Sequence, residues 1–589
     1  MHRNLASFLA CLRQEGELLE ISAEVDPYLE AAEIHRRIVA QAGPALLFTN
    51  IKGSPIPLAT NLFGTTKRID LAFGKKPENF VRELVSFAEN FMPPSLSNFW
   101  DSRSTLFSLT KLGTKLGNTA PILESATAEP AIDKLPLLTT WKEDGGPFFT
   151  LPLVYSHLPN TKQHNLGIYR LQRFDNASTG FHCQIGKGAG FHLARARELK
   201  QKLPVNVFIG GAPALIVSAV APLPENVPEL LLASMLLGEK VTMTKNPFGP
   251  LPLLSEAEFA LVGEVDPFET MPEGPFGDHY GYYSLKHDYP VFRIKAVLSR
   301  KNPVCTATVV GPGRQEDCFL GDYLQDLLSP IFPLVMPSVL SLWSYAESGF
   351  HSLAAAVVRE RYRREAMVSA FRILGEGQLS LTKFLLLTDT KIDLRNFKAT
   401  LEHILARADF SRDLFVFSNL AMDTLDYTGP KVNEGSKGVL MGLGTAIRDL
   451  PREFSGQLPG EVLDARVFCD GCLVVSGAGY AADQALPSKL AQLPIFSRWP
   501  LIILVDDAKA ATKSSWDFIW TAFTRFEPAR DIYSASQSIH NNHLQHNAPI
   551  VIDSRMKPWY PAVLSCDPET AALVDGRWGI YGVGPHQRC

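Results

Sequence analysis

Two short segments carry residue types suited to acid chemistry. The first, HNLGIYR at residues 164–170, places one arginine after a run of uncharged residues in a β-rich stretch. The planar fork of a guanidinium can hold a carboxylate in two hydrogen bonds, so Arg170 is a candidate carboxylate clamp. An arginine on a surface strand would give the same pattern, and this segment alone leaves both interpretations open.

The second segment is PEGPFGDH at residues 272–279, where Glu273 and Asp278 lie five residues apart. Its glycines and prolines make a poor helix, so we expect a loop to carry both carboxylates. If they lie close together, their repulsion raises the pKa of one, which can then donate a proton near neutral pH. A solvated acidic turn is the alternative interpretation.

Three kinds of pattern along the chain indicate the elements that must position these residues. Up to about residue 110, helical spacing alternates with short strands, which is typical of a small α/β domain. From about 150 to 310, short β-rich runs separated by Gly and Pro predict a barrel or sandwich; they are residues 166–171, 205–209, 214–220 and 291–298. From about residue 350, helix and strand patterns alternate again.

The C-terminal part contains an internal duplication. FLLLTD (384–389) is followed, 18 residues after its Asp, by RADFSRD (407–413). LIILVDD (501–507) is followed at the same spacing by RFEPARD (525–531). Each copy reads as a strand ending in Asp, a helix, and Arg-x5-Asp at the start of the next strand, which predicts a repeated α/β unit.

The overall composition excludes several classes of protein. With 57 basic and 61 acidic residues among 589, the chain has no surplus of positive charge for coating nucleic acid. The long uncharged stretches at 204–224 and 327–345 contain prolines, which break helices, so we predict a cytoplasmic protein with no membrane span. The sequence contains no Gly-x-Ser-x-Gly nucleophile elbow of the kind that indicates a hydrolase. It also contains no strand–GxGxxG–helix pattern of the kind that indicates an NAD enzyme.

Other features have weaker functional readings. Eight cysteines in so long a chain do not predict a disulfide scaffold, and we interpret Cys469 and Cys472 as two reduced thiols at a strand edge. His540, His543 and His546 have a spacing that fits a metal only weakly, in a region whose asparagines favour a loop. The charged run at 359–365 is typical of a solvated helix face, or of a contact with an anionic membrane surface.

Taken together, the two acid-chemistry segments resemble the UbiD decarboxylase family. Members carry Asn-x-Gly-Ile-x-Arg and then Glu-Gly-Pro-(Phe/Tyr)-Gly-(Asp/Glu), which read here as NLGIYR and EGPFGDHYGYY. The resemblance covers nearly the whole chain, and further matching segments are FLACLRQEGELLEISAEVDPYLE, GPALLFTNIKG, NLFGTTKRI, TVVGPGRQED and DFIWTAFTRFEPARD. Only the duplicated C-terminal part departs from the usual length.

The resemblance implies a multidomain α/β fold. It comprises a small N-terminal α/β domain (1–110), a central split β-barrel that binds prenylated FMN (111–320), and a C-terminal α/β oligomerisation region. The last contains the first repeat copy (321–460), and then the second copy with a C-terminal tail (461–589). If the extra copy fills a surface that a second subunit covers in relatives, the protein forms a smaller homo-oligomer than they do.

The resemblance also implies the cofactor and metal contacts. The flavin contacts would be Ile168, Tyr169, Arg170, His182, Cys183, Gln184, Lys187 and Gly188, with Lys437 from a C-terminal loop reaching the phosphate. A divalent cation, usually manganese, would bridge the phosphate to Asn165 and Glu229, which offer hard oxygen ligands. An ungapped alignment puts Gly186 where members often have a third, histidine ligand, and His182 lies four residues earlier. A potassium ion near residues 218–221 is a further expectation.

The implied activity is the loss of CO2 from an aromatic acid, with 3-polyprenyl-4-hydroxybenzoate of quinone biosynthesis as the leading substrate. Arg170 would orient the carboxylate, Asp278 would donate the proton, and Glu273 would be its partner. A flavin prenyltransferase would supply the cofactor. Two alternatives remain: another aromatic, naphthoate or acrylic acid as substrate, and a non-catalytic flavin-binding assembly subunit.

Overall fold

The apolar residues spaced three and four apart near the N-terminus form the buried face of the first helix. Leu5, Phe8, Leu9 and Leu12 are all buried, and Asn4 caps the helix by accepting a hydrogen bond from Ser7 N (3.0 Å). This computed structural model describes residues 2–90, 110–117, 120–183, 188–223 and 227–583. The chain forms two units, residues 1–327 with 562–589, and residues 328–561.

Up to residue 328, the described residues form sixteen strands and eight α-helices. The strands are β1 (Leu18–Ile21), β2 (Ala45–Phe48), β3 (Leu58–Thr60), β4 (Thr114–Leu116), β5 (Ser125–Thr127), β6 (Phe148–Phe149), β7 (Pro152–His157), β8 (His164–Ile168), β9 (Leu171–Gln172), β10 (Ser178–Gly180), β11 (Leu203–Ile209), β12 (Val241–Thr244), β13 (Leu253–Leu254), β14 (Phe259–Glu273), β15 (His287–Ser299) and β16 (Cys305–Thr306). The helices are α1 (Leu5–Gln14), α2 (Glu30–Ala40), α3 (Thr66–Phe73), α4 (Lys76–Asn90), α5 (Gly188–Glu198), α6 (Pro213–Val220), α7 (Glu229–Leu237) and α8 (Glu316–Leu328).

A seven-stranded sheet forms the centre of this unit. Its main path runs β10-β15-β14-β11-β7-β8, with β5 paired to the outer part of β15, and every pairing is antiparallel. The long partners β14 and β15 shift register twice, between Val262 and Gly263 and between Val265 and Thr270. Such bulges bend a sheet and increase its twist, as a barrel requires.

One predicted β run is wrong, since residues 214–220 lie in helix α6. The run is apolar throughout, and periodicity cannot distinguish a short buried strand from a helix buried on most sides. Pro213 stands in the first turn of α6, where its missing N–H costs nothing. The other three runs fall in β8 and β9, β11 and β15, with Tyr169 and Arg170 standing between β8 and β9.

The second unit repeats one α/β pattern. Its strands are β17 (Val339–Ser344), β18 (Leu353–Val358), β19 (Phe384–Thr388), β20 (Leu414–Ala421), β21 (Glu434–Gly442), β22 (Val462–Cys469), β23 (Cys472–Gly477), β24 (Leu501–Val505), β25 (Ile532–His540) and β26 (His543–Asp553). Its helices are α9 (Phe332–Val335), α10 (Glu365–Leu374), α11 (Phe397–Arg407), α12 (Phe410–Asp413), α13 (Leu486–Gln492), α14 (Ala508–Ala511), α15 (Ser515–Thr524) and α16 (Pro528–Asp531).

The two sheets of this unit have the same topology, as the duplication predicts. One has the order β17-β18-β19-β21-β20 and the other β22-β23-β24-β26-β25. In each, the two inner pairings are parallel and the two outer ones antiparallel. Both copies of the Arg-x5-Asp motif end in a one-turn helix, α12 or α16, just before the edge strand.

The copies share one hydrophobic core. It combines Leu386, Phe397 and Leu401 from the first copy with Ile503, Phe518 and Phe523 from the second. The packing is reciprocal, since α12 contacts β26 and its equivalent α16 contacts β21. Reciprocal contacts of this kind characterise a twofold interface, here built within one chain.

The last helix, α17 (Pro568–Arg577), packs in the first unit, whereas the sequence placed this region in a tail after the second copy. α17 lies against α2, and Val574, Trp578 and Tyr581 join the core beneath the N-terminal sheet. Tyr581 donates from its hydroxyl to the buried Glu30 Oε1 (2.6 Å). Among the helices of the described ranges, none is both long and apolar enough to cross a membrane.

We expect Phe397→Ala to lower the free energy of unfolding of the second unit by about 3–5 kcal/mol, because it leaves a cavity in the shared core. The Phe397 ring lies within 6.2 Å of the rings of Phe468, Phe518 and Phe523. Denaturant unfolding measures the loss. Phe371→Ala is the matched control, because that ring is 59% exposed on α10; similar losses in both variants would contradict the shared core.

Candidate active site

Arg170 lies between Glu273 and Asp278 and is hydrogen-bonded to both. Its Nε donates to Glu273 Oε1 (3.1 Å) and its Nη1 donates to Asp278 Oδ2 (2.6 Å). Arg170 lies between β8 and β9, Glu273 is the last residue of β14, and Asp278 lies in the loop beyond. All three side chains are at least nine-tenths buried, so the sheet brings together charges that the sequence separates by about a hundred residues.

A turn in the loop after β14 supplies the third partner of the arginine. Gly281 donates its N–H to Asp278 O (3.0 Å) with φ +85°, a conformation that favours glycine. The loop then returns, so that Ser284 Oγ accepts from both Phe276 N (3.1 Å) and Arg170 Nη2 (3.1 Å). The guanidinium also lies 4.7 Å from the centre of the Phe276 ring. The contacts with the two carboxylates, with Ser284 and with Phe276 together fix the position of the Arg170 guanidinium.

A histidine contacts each carboxylate: His182 binds the same oxygen of Glu273 as Arg170 does, and His279 binds the oxygen of Asp278 that the arginine does not use. His182 Nδ1 donates to Glu273 Oε1 (2.9 Å), and His279 donates to Asp278 Oδ1 from both Nδ1 and its backbone N–H. The five side chains thus form a continuous chain of alternating bases and acids. His279 has the most exposed side chain of the five, at 28%.

These contacts lower the pKa values of both carboxyl groups. Burial raises the pKa of Glu273, but His182 and Arg170 outweigh it and hold the pKa below its usual range. Burial likewise raises the pKa of Asp278, and His279 and Arg170 outweigh it. The expectation that one pKa rises by mutual repulsion is therefore wrong for the resting site, because a guanidinium separates the two carboxylates.

The second oxygen of Glu273 faces a space that a glycine leaves. Glu273 Oε2 is buried and has no hydrogen-bond partner among the described residues. A Cβ on Gly180 would lie 2.5 Å from this oxygen. The position on β10 must therefore be glycine if Glu273 is to keep its contacts with Arg170 and His182.

A second polar group lies on β8 and the helices beside it. Glu229, the first residue of α7, accepts from Leu166 N through Oε2 (3.0 Å), next to Asn165. A Cβ on Gly188 would lie 1.8 Å from Asn165 Oδ1, so the start of α5 closely approaches this amide. Burial raises the pKa of Glu229, and no described residue forms an ion pair with it. A buried carboxylate without a cationic partner is a suitable ligand for a cation.

The structure places the remaining predicted site residues as follows. Ile168 ends β8, and the Tyr169 hydroxyl accepts from Ala189 N (3.3 Å) near the start of α5. Burial raises the pKa of the Cys183 thiol far above its usual value. The predictions for Gln184, Gly186 and Lys187 lie outside the described residues. In the K⁺ region, the Ser218 hydroxyl is buried and has no partner among the described residues.

Lys437 is a buried residue of the second unit. Its Nζ donates to the carbonyls of Ser380 (2.8 Å) and Thr382 (2.9 Å), and burial lowers its pKa to about 8. A lysine held in this way keeps its ammonium only at a cost, and the contact with a cofactor phosphate stays a prediction.

The other cysteine and histidine candidates are found in hairpins of the second unit. Cys469 and Cys472 face each other across the β22–β23 turn as free thiols. His540 and His543 are cross-strand partners in the β25–β26 hairpin, and His546 lies further along β26. Within the described ranges, no three His, Cys, Asp or Glu side chains come together in a way that could hold a metal.

Sequence reasoning missed Ser284 and the role of His279. Ser284 lies outside the matched motif, and only the fold-back of the loop brings it to Arg170. His279 stands inside EGPFGDHYGYY, but its spacing says nothing about its bond to the neighbouring aspartate. The residue types of the loop after β14, which ends in Tyr-Tyr-Ser, do not indicate either contact.

Comparison with known proteins identifies the family. Residues 9–88, 114–313 and 318–442 match the N-terminal, Rift-related and C-terminal domains of 3-octaprenyl-4-hydroxybenzoate carboxy-lyase (UbiD). A Chlamydia pneumoniae protein, named as one of the subunits of a 4-hydroxybenzoate decarboxylase, is 48% identical over 577 residues, which cover 98% of each chain. A Chlamydia trachomatis protein is 49% identical over 582 residues, 98% of this chain and 99% of its own.

Solved structures show the same fold. The vanillic acid decarboxylase of Sedimentibacter hydroxybenzoicus has a TM-score of 0.68 at 22% identity, over 78% of this chain and 96% of its own. An evolved dimeric form of the UbiD-class enzyme HmfF from Pelotomaculum thermopropionicum, in complex with prFMN, has a TM-score of 0.60 at 22% identity, over 75% and 95%. The chain belongs to the UbiD family of carboxy-lyases.

We expect Asp278→Asn to weaken the loss of stability on acidification. Asp278 has a lowered pKa when folded, so it stabilises the fold above its unfolded pKa, for which the ordinary value is 3.8, and this contribution is lost as pH falls through the folded value. Each pKa unit of lowering is worth about 1.4 kcal/mol. The measurement is Tm from about pH 6 down to about pH 2, a range that extends below the ordinary value.

Glu269→Gln serves as the matched control, because Glu269 lies on the same strand, β14, in an exposed ion pair with Arg293. Wild type should lose more Tm across this range than Asp278→Asn and about as much as Glu269→Gln. An Asp278→Asn profile parallel to that of wild type would show that Asp278 is not held as a carboxylate.

Proposed function

We propose that this protein uses prenylated FMN to remove CO2 from an aromatic acid, with 3-polyprenyl-4-hydroxybenzoate of quinone biosynthesis as the leading substrate. The observation that carries the proposal is the buried arginine held between two carboxylates. Support comes from the family, from the name of the chlamydial relative, and from the prFMN complex of HmfF.

The chemistry explains why a flavin is needed. Loss of CO2 from an sp2 carbon leaves an aryl carbanion that is far too unstable to form unaided. The prenylated flavin, when bound, supplies the electron sink for that charge. The protein must then orient the acid and deliver a proton to the carbon that loses CO2.

Arg170 is the group that orients the substrate carboxylate. A guanidinium has five N–H donors, and the contacts with Glu273, Asp278 and Ser284 use three of them. Two donors remain, one on each terminal nitrogen, which is what a bidentate carboxylate requires. Since Arg170 is locked by its neighbours, little conformational entropy is lost when the acid binds.

Asp278 donates the proton and Glu273 is its partner. Asp278 is bound to Arg170 on one side and to His279 on the other, so its proton affinity changes with the charge on both. Glu273 keeps Arg170 paired while Asp278 is protonated. The two carboxyl groups titrate as a coupled pair through the shared guanidinium.

Residues near α5 and α7 would hold the cofactor phosphate and its metal. Asn165 and Glu229 supply oxygen ligands for manganese or another divalent cation, and the unpaired buried charge of Glu229 supports this assignment. The start of α5 would add N–H groups for the phosphate. Other flavin contacts would come from Ile168, Tyr169, His182, Cys183, Gln184, Lys187, Gly188 and Lys437, and a potassium ion would bind near residues 218–221.

The cellular setting is part of the same proposal. A flavin prenyltransferase would supply the cofactor, and the chain would act in the cytoplasm as a homo-oligomer. Tyr362, Val368 and Phe371 are each more than half exposed around α10, beside Arg359 and Arg363. Exposed apolar side chains with arginines nearby in the sequence suit a peripheral contact with an anionic membrane surface, where a polyprenylated acid would reside.

The proposal predicts CO2 release by the chain produced together with a flavin prenyltransferase and purified without air. Of 4-hydroxybenzoate with and without a 3-prenyl group, we expect the prenylated acid to react faster. Arg170→Lys should lower kcat/KM by about 100-fold or more, because lysine cannot replace the two-pronged contact. Product formation is followed by chromatography.

Arg293→Lys is the matched control, since Arg293 lies on β15 in an exposed ion pair. An equal loss in both variants would contradict the assigned role of Arg170. A flavin-loaded wild type that converts neither hydroxybenzoate, but does convert a naphthoate or acrylic acid, would favour the other substrates; no turnover of any acid would favour the non-catalytic assembly role.

A further inference from the structure

The proposed proton donor cannot work twice without a supply of protons. Each turnover transfers the Asp278 proton to the product carbon and leaves a carboxylate that Arg170 holds at Oδ2. Arg170 itself stays protonated and cannot give a proton back. The Asp278 side chain is only 9% exposed, so its remaining oxygen must be reached through another group.

That remaining oxygen, Oδ1, is bound by His279. Both the ring Nδ1 and the backbone N–H of His279 donate to it. The side chain of His279 is 28% exposed, three times as much as that of Asp278. Its ring therefore connects the buried donor to the more accessible edge of the site.

Two carboxylates interact with His279. Asp278 contacts it directly, and Asp317 at the start of α8 interacts with it electrostatically. The ring of Tyr280 lies 5.1 Å from its ring. A bound substrate carboxylate adds one more negative charge at Arg170, which raises the proton affinity of the whole chain of side chains.

We propose that His279 is the proton relay of this site, an inference that rests on the proposed decarboxylation. In each cycle Asp278 gives its proton to the carbon that has lost CO2 and becomes a carboxylate. The imidazolium of His279 then passes the Nδ1 proton to Asp278 Oδ1 and becomes neutral. The neutral ring keeps its proton on Nε2, so the replacement proton must come from solvent to Nδ1, when the ring turns toward the accessible edge of the site. The imidazolium is then restored, and one solvent proton enters for each C–H bond formed.

Exchange of labelled CO2 into the acid and formation of the decarboxylated product share the cleavage step, but only product formation needs the relay. Cleavage of CO2 is reversible until the carbanion is protonated, so labelled CO2 can enter the recovered acid without a proton from Asp278. Formation of product requires that proton. Slower reprotonation therefore raises the ratio of label exchange to product formation, whereas a general loss of structure lowers both rates together.

The test uses the flavin-loaded full chain, ¹³C-labelled bicarbonate and the hydroxybenzoate that wild type converts. In His279→Asn, which keeps a side-chain donor near Asp278 but cannot carry a proton, we expect product formation to fall by about 100-fold. Label exchange should persist, so the ratio of the two rates rises accordingly. In His279→Ala, added imidazole should restore product formation.

His403→Asn is the matched control, because His403 is a partly buried histidine of the second unit that is bonded to Thr388 Oγ1 (2.8 Å). It should leave both rates as in wild type. An unchanged ratio in His279→Asn, or no rescue of His279→Ala by imidazole, would overturn the relay. A wild type without product or exchange would instead refute the proposed function.

Discussion

The site depends on the ion pairs between Arg170 and its two carboxylates. Three charged side chains are buried together, and the cost of removing them from water is offset only while both ion pairs are kept. Loss of the arginine would leave two carboxylates facing each other; loss of either carboxylate would leave a partly compensated cation. Ser284 and Phe276 complete the enclosure, so the guanidinium has one position rather than several.

The geometry of the central sheet brings Arg170 and its carboxylates into contact. Arg170 leaves β8 at one edge of the sheet, and Glu273 ends β14 after two bulges that bend the strand. The next residues must turn back at once, and Gly281 with Ser284 forms that turn. Backbone geometry alone thus decides which residues meet, and the chemistry follows from their side chains.

The sequence predicted the parts of this arrangement that local patterns and the family motif specify. Arg170, Glu273 and Asp278 were assigned together from NLGIYR and EGPFGDH, and the structure brings them into contact. The duplication followed from equal spacings and reappears as two sheets with one strand order. The pKa directions were missed, because spacing cannot show that a cation stands between two acids. Helix α6 was missed because its apolar run lacks a period, and Ser284 because only the loop's return brings it close.

We propose that this fold binds a prenylated flavin on the Asn165 and Glu229 side of the site and an acid on the Arg170 side. The most direct measurement is the absorbance spectrum and mass of the flavin, with the metal content, after production with a flavin prenyltransferase and purification without air. We expect one prenylated FMN and one divalent cation per chain, both lost in Glu229→Gln. A chain that retains only ordinary FMN or no flavin, while a UbiD enzyme produced in parallel acquires the prenylated form, would contradict it.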